Sequence, residues 1–196
     1  MLKIIHRINK ISELKKVPLQ YGVEVDIRTY NNQLILNHEP FQDGDKLDEY
    51  LAEFKNAFII LEIKEEGIEK EVIKLCEKYG IEDYFLLSVS FPFIYLLSKQ
   101  GIRKMAARFS EFEDINTCLT MKHKIEWIWV DTFENNPLSA ENYRLLKDAG
   151  FKICIVCPER WGRSTDISEY TNYFKSSDIR LDAVMTSYKH VNDWFN

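Results

Sequence analysis

The hydrophobic pattern alternates along the chain between short, nearly continuous apolar runs and longer stretches with helical spacing. Runs such as AFIILEIK (57–64) and FKICIVC (151–157) are short and rich in β-branched residues, which is typical of buried strands. The stretch IEKEVIKLCEKYG (68–80) has apolar residues three or four positions apart and ends at a glycine, which is typical of an amphipathic helix. The pattern predicts an α/β protein whose parallel strands are covered by helices.

Eight of the apolar runs are predicted to be core strands. They begin at residues 2, 23, 57, 84, 103, 125, 151 and 181. A further run, QLILNHE (33–39), follows an Asn-Asn turn and extends the loop after the second core strand. Eight strand–helix units predict a compact (β/α)8 TIM barrel, although 196 residues is short for a fold that typically takes about 250. An open doubly wound sheet is the alternative, and residues 1–196 are expected to form a single domain.

Charge and composition exclude several classes of partner. Lys and Arg total 26 against 31 for Asp and Glu, a net charge of −5, so no chain-wide basic field attracts nucleic acid. No apolar run approaches the roughly 20 residues that span a bilayer, and charged residues interrupt the apolar N-terminal stretch MLKIIHRINK. We therefore expect a cytoplasmic protein with no transmembrane segment, which does not bind nucleic acid. The sequence leaves its oligomeric state open.

The cysteines Cys76, Cys118, Cys154 and Cys157 are expected to be free thiols, because no secretion signal precedes them. The CIVC tetrad has the spacing of a redox motif. It lies on a predicted strand, however, where positions i and i+3 point to opposite faces, whereas a thioredoxin-type pair lies at a helix N-terminus. The sequence therefore predicts a structural role for this tetrad.

Carboxylates collect where the second and third core strands end. Glu24 and Asp26 are two residues apart, so both side chains point to the same face of their strand. Glu62 follows on the next strand, and a TIM barrel builds its chemistry at the C-terminal ends of its strands. Three carboxylates at one end of the barrel form a hard-oxygen site suited to Mg²⁺ or Ca²⁺.

Histidines and cations are predicted at the same end. His6 and Arg7 close the first strand, His38 lies in the loop after the second, and Lys64 ends the third. Imidazole titrates near neutrality and can accept or donate a proton, while Arg and Lys bind phosphate oxygens. Together with a divalent metal, this set predicts phosphoryl chemistry.

The runs IIHR, VEVDIRTYNNQLILNHE and LEIK, in this order, resemble the motifs of the glycerophosphodiester phosphodiesterase family. That family belongs to the phosphatidylinositol-phospholipase-C-like phosphodiesterases, which are (β/α)8 barrels. The resemblance implies three roles: His6 and His38 as catalytic acid/base or nucleophile, Glu24, Asp26 and Glu62 as ligands of Mg²⁺ or Ca²⁺, and Arg7 and Lys64 as phosphate-binding residues.

The chain also departs from the family pattern. Ile8 follows His-Arg where the family has glycine, NKISELKK replaces a Pro-Glu-Asn-Thr segment, and CIVCPE replaces a Trp-Thr-x-Asn pattern. The insertion between the second and third barrel strands, which helps the family bind glycerol, is essentially absent. From the motifs that the chain retains, we expect a metal-dependent phosphodiesterase that cleaves a small glycerophosphodiester-like substrate. The alternatives are a sphingomyelinase-D-like lyase or transferase that forms a cyclic phosphate, and a non-catalytic phosphoester-binding barrel.

Later strand ends carry weaker candidates. Arg108, Asp131 and Glu159 could line the end of the barrel, and the loop PERWGRSTD with Trp161 could contact substrate. Trp127 and Trp129, on the same strand face as Asp131, are expected to pack in the core.

Overall fold

The predicted alternation produces parallel strands joined by helices. The computed structural model describes residues 1–195. Its strands are β1 (Leu2–Ile5), β2 (Gly22–Tyr30), β3 (Gln33–Leu36), β4 (Asp45–Lys46), β5 (Ile59–Ile63), β6 (Tyr84–Leu87), β7 (Ala106–Phe109), β8 (Trp127–Val130), β9 (Lys152–Val156) and β10 (Ala183–Thr186). All except β3 and β4 run parallel to their barrel neighbours, so eight strands build the barrel within the described range.

The barrel strands follow one another in the order β6-β5-β2-β1-β10-β9-β8-β7. Each neighbouring pair in this order shares a parallel ladder. Between β6 and β7 the described residues form a single parallel bridge, Leu86 with Met105, and the Leu86 amide donates to the Lys104 carbonyl at 2.9 Å. The predicted barrel arrangement is confirmed. Apart from that bridge, the described part of the sheet is not hydrogen-bonded between β6 and β7, and we call this opening the β6–β7 seam.

Helices cover the outside of the strands. They are α1 (Ile11–Leu14), α2 (Leu47–Glu53), α3 (Glu69–Lys78), α4 (Phe91–Lys99), α5 (Ile115–Leu119), α6 (Ala140–Asp148) and α7 (Asp166–Ser176), with 3-10 turns at Pro158–Trp161 and Tyr188–His190. Outward residues of the sheet, such as Val25 and Leu61, are buried in one cluster with Val72 of α3 and Ile94 of α4. Ser139 caps α6, because its hydroxyl accepts the Asn142 amide at 3.1 Å. Among the described residues, no helix is long and apolar enough to cross a membrane.

The end of the chain differs from the prediction. The spacing of apolar residues in YKHVNDWF (188–195) predicts a final helix, but the segment forms only the 3-10 turn Tyr188–His190 followed by further turns. So short a segment gains too few hydrogen bonds to offset helix nucleation. Val191 and Trp194 are buried here instead, so packing decides the local conformation.

The connection after β2 is a hairpin. Asn31 and Asn32 both have positive φ, 48° and 59°, as a two-residue type I′ turn requires. Strand β3 then returns antiparallel to β2, and the Asn37 amide donates to the Asp26 carbonyl at 3.0 Å. The run 33–39 is therefore an extension of the second loop, as predicted, and it carries His38 back towards the strand ends.

The barrel interior is apolar towards the end at which the strands begin. Phe58, Phe85 and Trp127 form a cluster with ring centroids 4.9–5.8 Å apart, and Trp129 packs edge-on against Phe85 at 6.4 Å. We call this aromatic cluster the floor. Cys154 belongs to the same interior core, and all four thiols are free and buried. The core role predicted for the two tryptophans is confirmed.

Candidate active site

The three predicted carboxylates meet at the C-terminal ends of β2 and β5. Glu24 and Asp26 both point inward because they are two residues apart on β2, and Asp26 is directly opposite Glu62 in the parallel register. One carboxylate oxygen of each residue lies within 4.8 Å of the other two, and all three side chains are buried. The acidic triad expected from the sequence is thus assembled. We call the end of the barrel that holds it the mouth.

Glu24 carries an unsatisfied buried oxygen. Its Oε2 accepts the Arg7 backbone amide at 2.7 Å, whereas its Oε1 has no hydrogen-bond partner among the described residues. Burial, together with the negative charges of Asp26 and Glu62, raises the pKa of Glu24 well above its usual value. A buried carboxylate left in this state is costly, and a cation beside it would relieve the cost.

Asp26 is held by an amide and an ammonium group. The Asn9 side-chain amide donates to Asp26 Oδ2 at 2.8 Å, and the Asp26 backbone amide donates back to Asn9 Oδ1 at 2.8 Å. Lys64 Nζ lies 3.0 Å from Asp26 Oδ1. Burial acts to raise the pKa of Asp26, but the hydrogen bond from Asn9 and the charge of Lys64 outweigh it and leave the pKa below its usual value.

Glu62 completes the triad through two further contacts. Lys64 Nζ lies 2.8 Å from Glu62 Oε2, and the Ser88 hydroxyl donates to Glu62 Oε1 at 3.0 Å. Lys64 therefore bridges two of the three carboxylates. The donor set consists of hard oxygens, one of them without a partner, and this combination fits Mg²⁺ or Ca²⁺.

His6 projects beside the triad from the end of β1. Its Nε2 lies 3.8 Å from Glu24 Oε2. Burial and the positive charges of Arg160 and Arg7 lower the pKa of His6 to about 4. The imidazole is therefore neutral near pH 7, with a nitrogen lone pair available at the mouth.

His38 lies at the mouth on the hairpin connection. Its Nδ1 lies 2.6 Å from Glu39 Oε1, and Arg28 Nε donates to its backbone carbonyl at 3.1 Å. The hydrogen bond from His38 lowers the pKa of Glu39. The Asn37 amide, next to His38 in the chain, donates to the Asp26 carbonyl at 3.0 Å, and the charge of His38 is among those that lower the pKa of His6. The structure thus brings both predicted histidines to one site.

Arg7 lies at the solvent edge of the triad. Its Nε lies 3.7 Å from Asp26 Oδ2, and its side chain is 41% exposed. Its backbone φ of 57° is uncommon for a residue with a side chain, and in this conformation its amide donates to Glu24. Arg7 therefore offers a cationic group to a ligand while its backbone holds a carboxylate.

The later strand ends supply a second ion-pair group. Arg108 Nη1 donates to Asp131 Oδ2 at 3.0 Å, and Trp129 Nε1 donates to the same oxygen at 3.3 Å. Glu159 accepts hydrogen bonds from the Thr186 hydroxyl and, at 3.1 Å, from the Ser187 amide. These candidates are therefore polar anchors of the barrel end, and Arg160, next to Glu159, reaches His6 electrostatically.

Two residues of the site were not singled out from the sequence. Ser88 directly follows β6, and this strand-end position is the signal that could have identified it. Asn9 lies in the connection from β1 to α1 and contacts a residue 17 positions away. No local pattern marks such a contact.

Comparison with known proteins supports the fold. No protein-family model and no curated protein matches the sequence. A provisionally assigned glycerophosphoryl diester phosphodiesterase from Agrobacterium tumefaciens is similar in structure, with a TM-score of 0.67, 15% identity and coverage of 98% of this chain and 96% of that one. A glycerophosphoryl diester phosphodiesterase from Parabacteroides distasonis gives 0.64 at 13% identity, with coverage of 98% and 85%.

An enzyme of different chemistry shares the architecture. The α subunit of tryptophan synthase from Campylobacter jejuni is similar with a TM-score of 0.56 and 13% identity, over 95% of this chain and 86% of that one. At such identities the similarity concerns the fold, and function has to be argued from the site. The chain has the TIM-barrel fold of the glycerophosphodiester phosphodiesterases, as the sequence resemblance predicts.

Proposed function

We propose that this protein is a metal-dependent phosphodiesterase that hydrolyses a small glycerophosphodiester-like substrate at the mouth of the barrel. The observation that carries the proposal is the buried triad, in which one Glu24 oxygen has no partner among residues 1–195, flanked by His6 and His38. The fold shared with glycerophosphodiester phosphodiesterases supports the same assignment.

The triad fits a divalent cation, and Glu24, Asp26 and Glu62 would hold it. When bound, Mg²⁺ or Ca²⁺ would supply positive charge that polarises a phosphate oxygen and stabilises negative charge in the transition state. Asn9 and Ser88 hold Asp26 and Glu62 in place. Such supporting hydrogen bonds keep ligand oxygens oriented.

The two histidines would divide the proton transfers. One of His6 and His38 activates the nucleophile or attacks phosphorus directly, and the other protonates the departing alkoxide. Attack by water gives a phosphomonoester and an alcohol, whereas attack by a neighbouring hydroxyl of the substrate gives a cyclic phosphate.

Arg7 and Lys64 would bind the phosphate. Lys64 is fixed between Asp26 and Glu62, so its ammonium group is held at the mouth without further ordering of the side chain. Arg7 is partly exposed and can present its guanidinium to two phosphate oxygens. A substrate phosphate would thereby meet cations from both β1 and β5.

A screen of glycerophosphodiesters, nucleotide-linked glycerols and lysophospholipids, with Mg²⁺, Ca²⁺ or Mn²⁺ and ³¹P NMR of the products, tests the proposal. We expect metal-dependent formation of a phosphomonoester from at least one substrate. A cyclic phosphate product would indicate the lyase or transferase alternative. Binding without turnover across the panel would indicate a non-catalytic phosphoester-binding barrel. The cytoplasmic location stays a prediction from the sequence.

A further inference from the structure

A cavity opens at the β6–β7 seam, next to the acidic triad. Its volume is about 430 Å³, within the range of about 300–1,000 Å³ usual for small-molecule sites. Along the seam the described residues form one bridge, Leu86 with Met105, and the small residues Ala106 and Ala107 of β7 line the cavity. The missing ladder and the small side chains together leave room that a continuous sheet with larger residues would fill.

One wall of this cavity belongs to the mouth. Ser88 and Arg108 line it, and the Ser88 hydroxyl donates to Glu62 at 3.0 Å. Arg108 Nη2 lies 3.5 Å from the Ser88 hydroxyl and Nη1 is 3.0 Å from Asp131. The cavity is therefore separated from a triad carboxylate by a single side chain, and a group joined to a phosphate at the triad can reach it.

The rest of the lining is largely apolar. Leu87, Val89 and Ile94 are buried along the inner surface. The rings of Phe91 and Phe112 stand at the outer edge, 48% and 69% exposed. Two exposed aromatic rings at the edge of one cavity offer apolar surface that a ligand would cover favourably.

The acidic residues of the cavity are already engaged. Glu113 accepts the Ser110 hydroxyl at 2.8 Å and pairs with Arg108 Nε at 3.5 Å. Asp114 caps α5 by accepting the Asn116 amide at 2.6 Å. Glu113 is charge-paired with Arg108 and Asp114 is committed to the cap of α5, and since the rest of the lining is apolar the cavity favours an uncharged group.

We propose that the seam cavity is a specificity pocket for an uncharged apolar group, such as an alkyl chain, on one alcohol of the phosphodiester. The inference rests on the proposed function and narrows its substrate class. The chain lacks the insertion that helps the family bind glycerol. The seam cavity would select the substrate instead, by binding its apolar group.

Binding of alkyl phosphates tests the pocket without relying on turnover. Methyl, butyl and hexyl phosphate are titrated into the protein in Mg²⁺ by calorimetry. We expect the Kd to fall with chain length, by up to about fourfold per methylene group and at least about tenfold from methyl to hexyl. A Kd independent of chain length would overturn the proposal, as would tighter binding of choline phosphate than of hexyl phosphate.

Variants at the exposed rings locate the effect. The double variant Phe91→Ala/Phe112→Ala should reduce the preference for hexyl over methyl phosphate to below about threefold, with the Kd of methyl phosphate unchanged. Tyr95→Ala is the matched control, because Tyr95 is an exposed aromatic residue of α4 that does not line the cavity. All three positions are exposed, so the variants should fold. An undiminished hexyl preference in the double variant would place the apolar site elsewhere and contradict the proposal.

Turnover separates this proposal from the proposed function. Glycerol phosphodiesters of methanol, butanol and hexanol are compared by ³¹P NMR, and kcat/KM should rise with chain length in the wild type and less in the double variant. Turnover that is independent of chain length would refute the pocket and leave the hydrolase assignment standing. If binding tightens with alkyl-chain length but no diester is hydrolysed, the hydrolase assignment is refuted and the pocket is supported.

Discussion

The floor and the mouth of the barrel are built on the same strand faces but from opposite chemistry. Along β8, Trp127 and Trp129 face the interior and Asp131 follows on the same side. The ring centroids of Phe58, Phe85 and Trp127 are 4.9–5.8 Å apart. Asp131, two residues after Trp129, is instead paired with Arg108. Side chains alternate between the two faces of β8 without interruption. Whether an inward side chain belongs to the floor or to the mouth therefore depends on its position along the strand.

The difference between the two layers separates stability from chemistry. Buried aromatic rings stabilise the fold, while clustered buried carboxylates cost free energy until a cation compensates them. Gly22, the first residue of β2, is constrained by close packing against the neighbouring strand. A Cβ there would lie 2.9 Å from the Phe58 carbonyl oxygen, so glycine lets the strands that carry Glu24 and Glu62 approach closely. We expect changes at the floor to unfold the protein and changes at the mouth to stop its reaction.

The largest effect is expected from the histidines. His6→Asn and His38→Asn should each lower kcat by about 10²–10⁴-fold, because each removes a proton-transfer group. His123→Asn is the control, since His123 is exposed and far along the chain from the site. Hydrolysis rates on the best diester measure the effect, and rates within twofold of wild type for His6→Asn would remove that residue from the mechanism.

A floor substitution should show the reverse behaviour. Trp127→Ala should lower the free energy of unfolding by about 3–5 kcal/mol, because it leaves a cavity among packed rings. The kcat of the remaining folded protein should change little. Urea unfolding and active-site-normalised rates measure the two quantities. A loss below about 1 kcal/mol would mean that the floor is not the main source of stability.

Glu24→Gln should sharpen the comparison further. Wild type should gain about 2.7 kcal/mol of stability when Mg²⁺ or Ca²⁺ is at a hundred times its Kd, and the variant should lose this gain because a ligand is removed. Glu69→Gln is a matched control: Glu69 is also buried, with one oxygen that has no partner in the described range, but it lies on α3 outside the triad. Thermal unfolding with and without metal measures the gain. An equal gain in Glu24→Gln would place the metal elsewhere.

The smallest effect is expected for Asn9→Ala. The variant loses both hydrogen bonds to Asp26, which should weaken metal binding by about 10–100-fold while His6 and His38 remain in place. Raising the metal concentration should restore most of the rate. Calorimetric metal titration together with rates at several metal concentrations would show this. A rate that excess metal does not restore would mean that Asn9 does more than orient Asp26.

The sequence predicts the parts of the fold that depend on local periodicity. The eight strands, the extension of the second loop at 33–39 and the clustering of Glu24, Asp26 and Glu62 follow from alternation and from the rule that parallel strands end together. Three features do not follow. Asn9 meets Asp26 across 17 positions, the β6–β7 seam depends on how two strands pair, and tertiary packing of Trp194 replaces the expected last helix.

The acidic triad explains the site only if a metal bound there supports hydrolysis. The most direct measurement is the rate of phosphodiester hydrolysis after treatment with a chelator, followed by addition of Mg²⁺ or Ca²⁺. We predict that chelation lowers the rate by at least about a hundredfold, the scale of several kcal/mol of transition-state stabilisation, and that one of the two metals restores it. A rate that is unchanged after complete removal of metal would contradict the account.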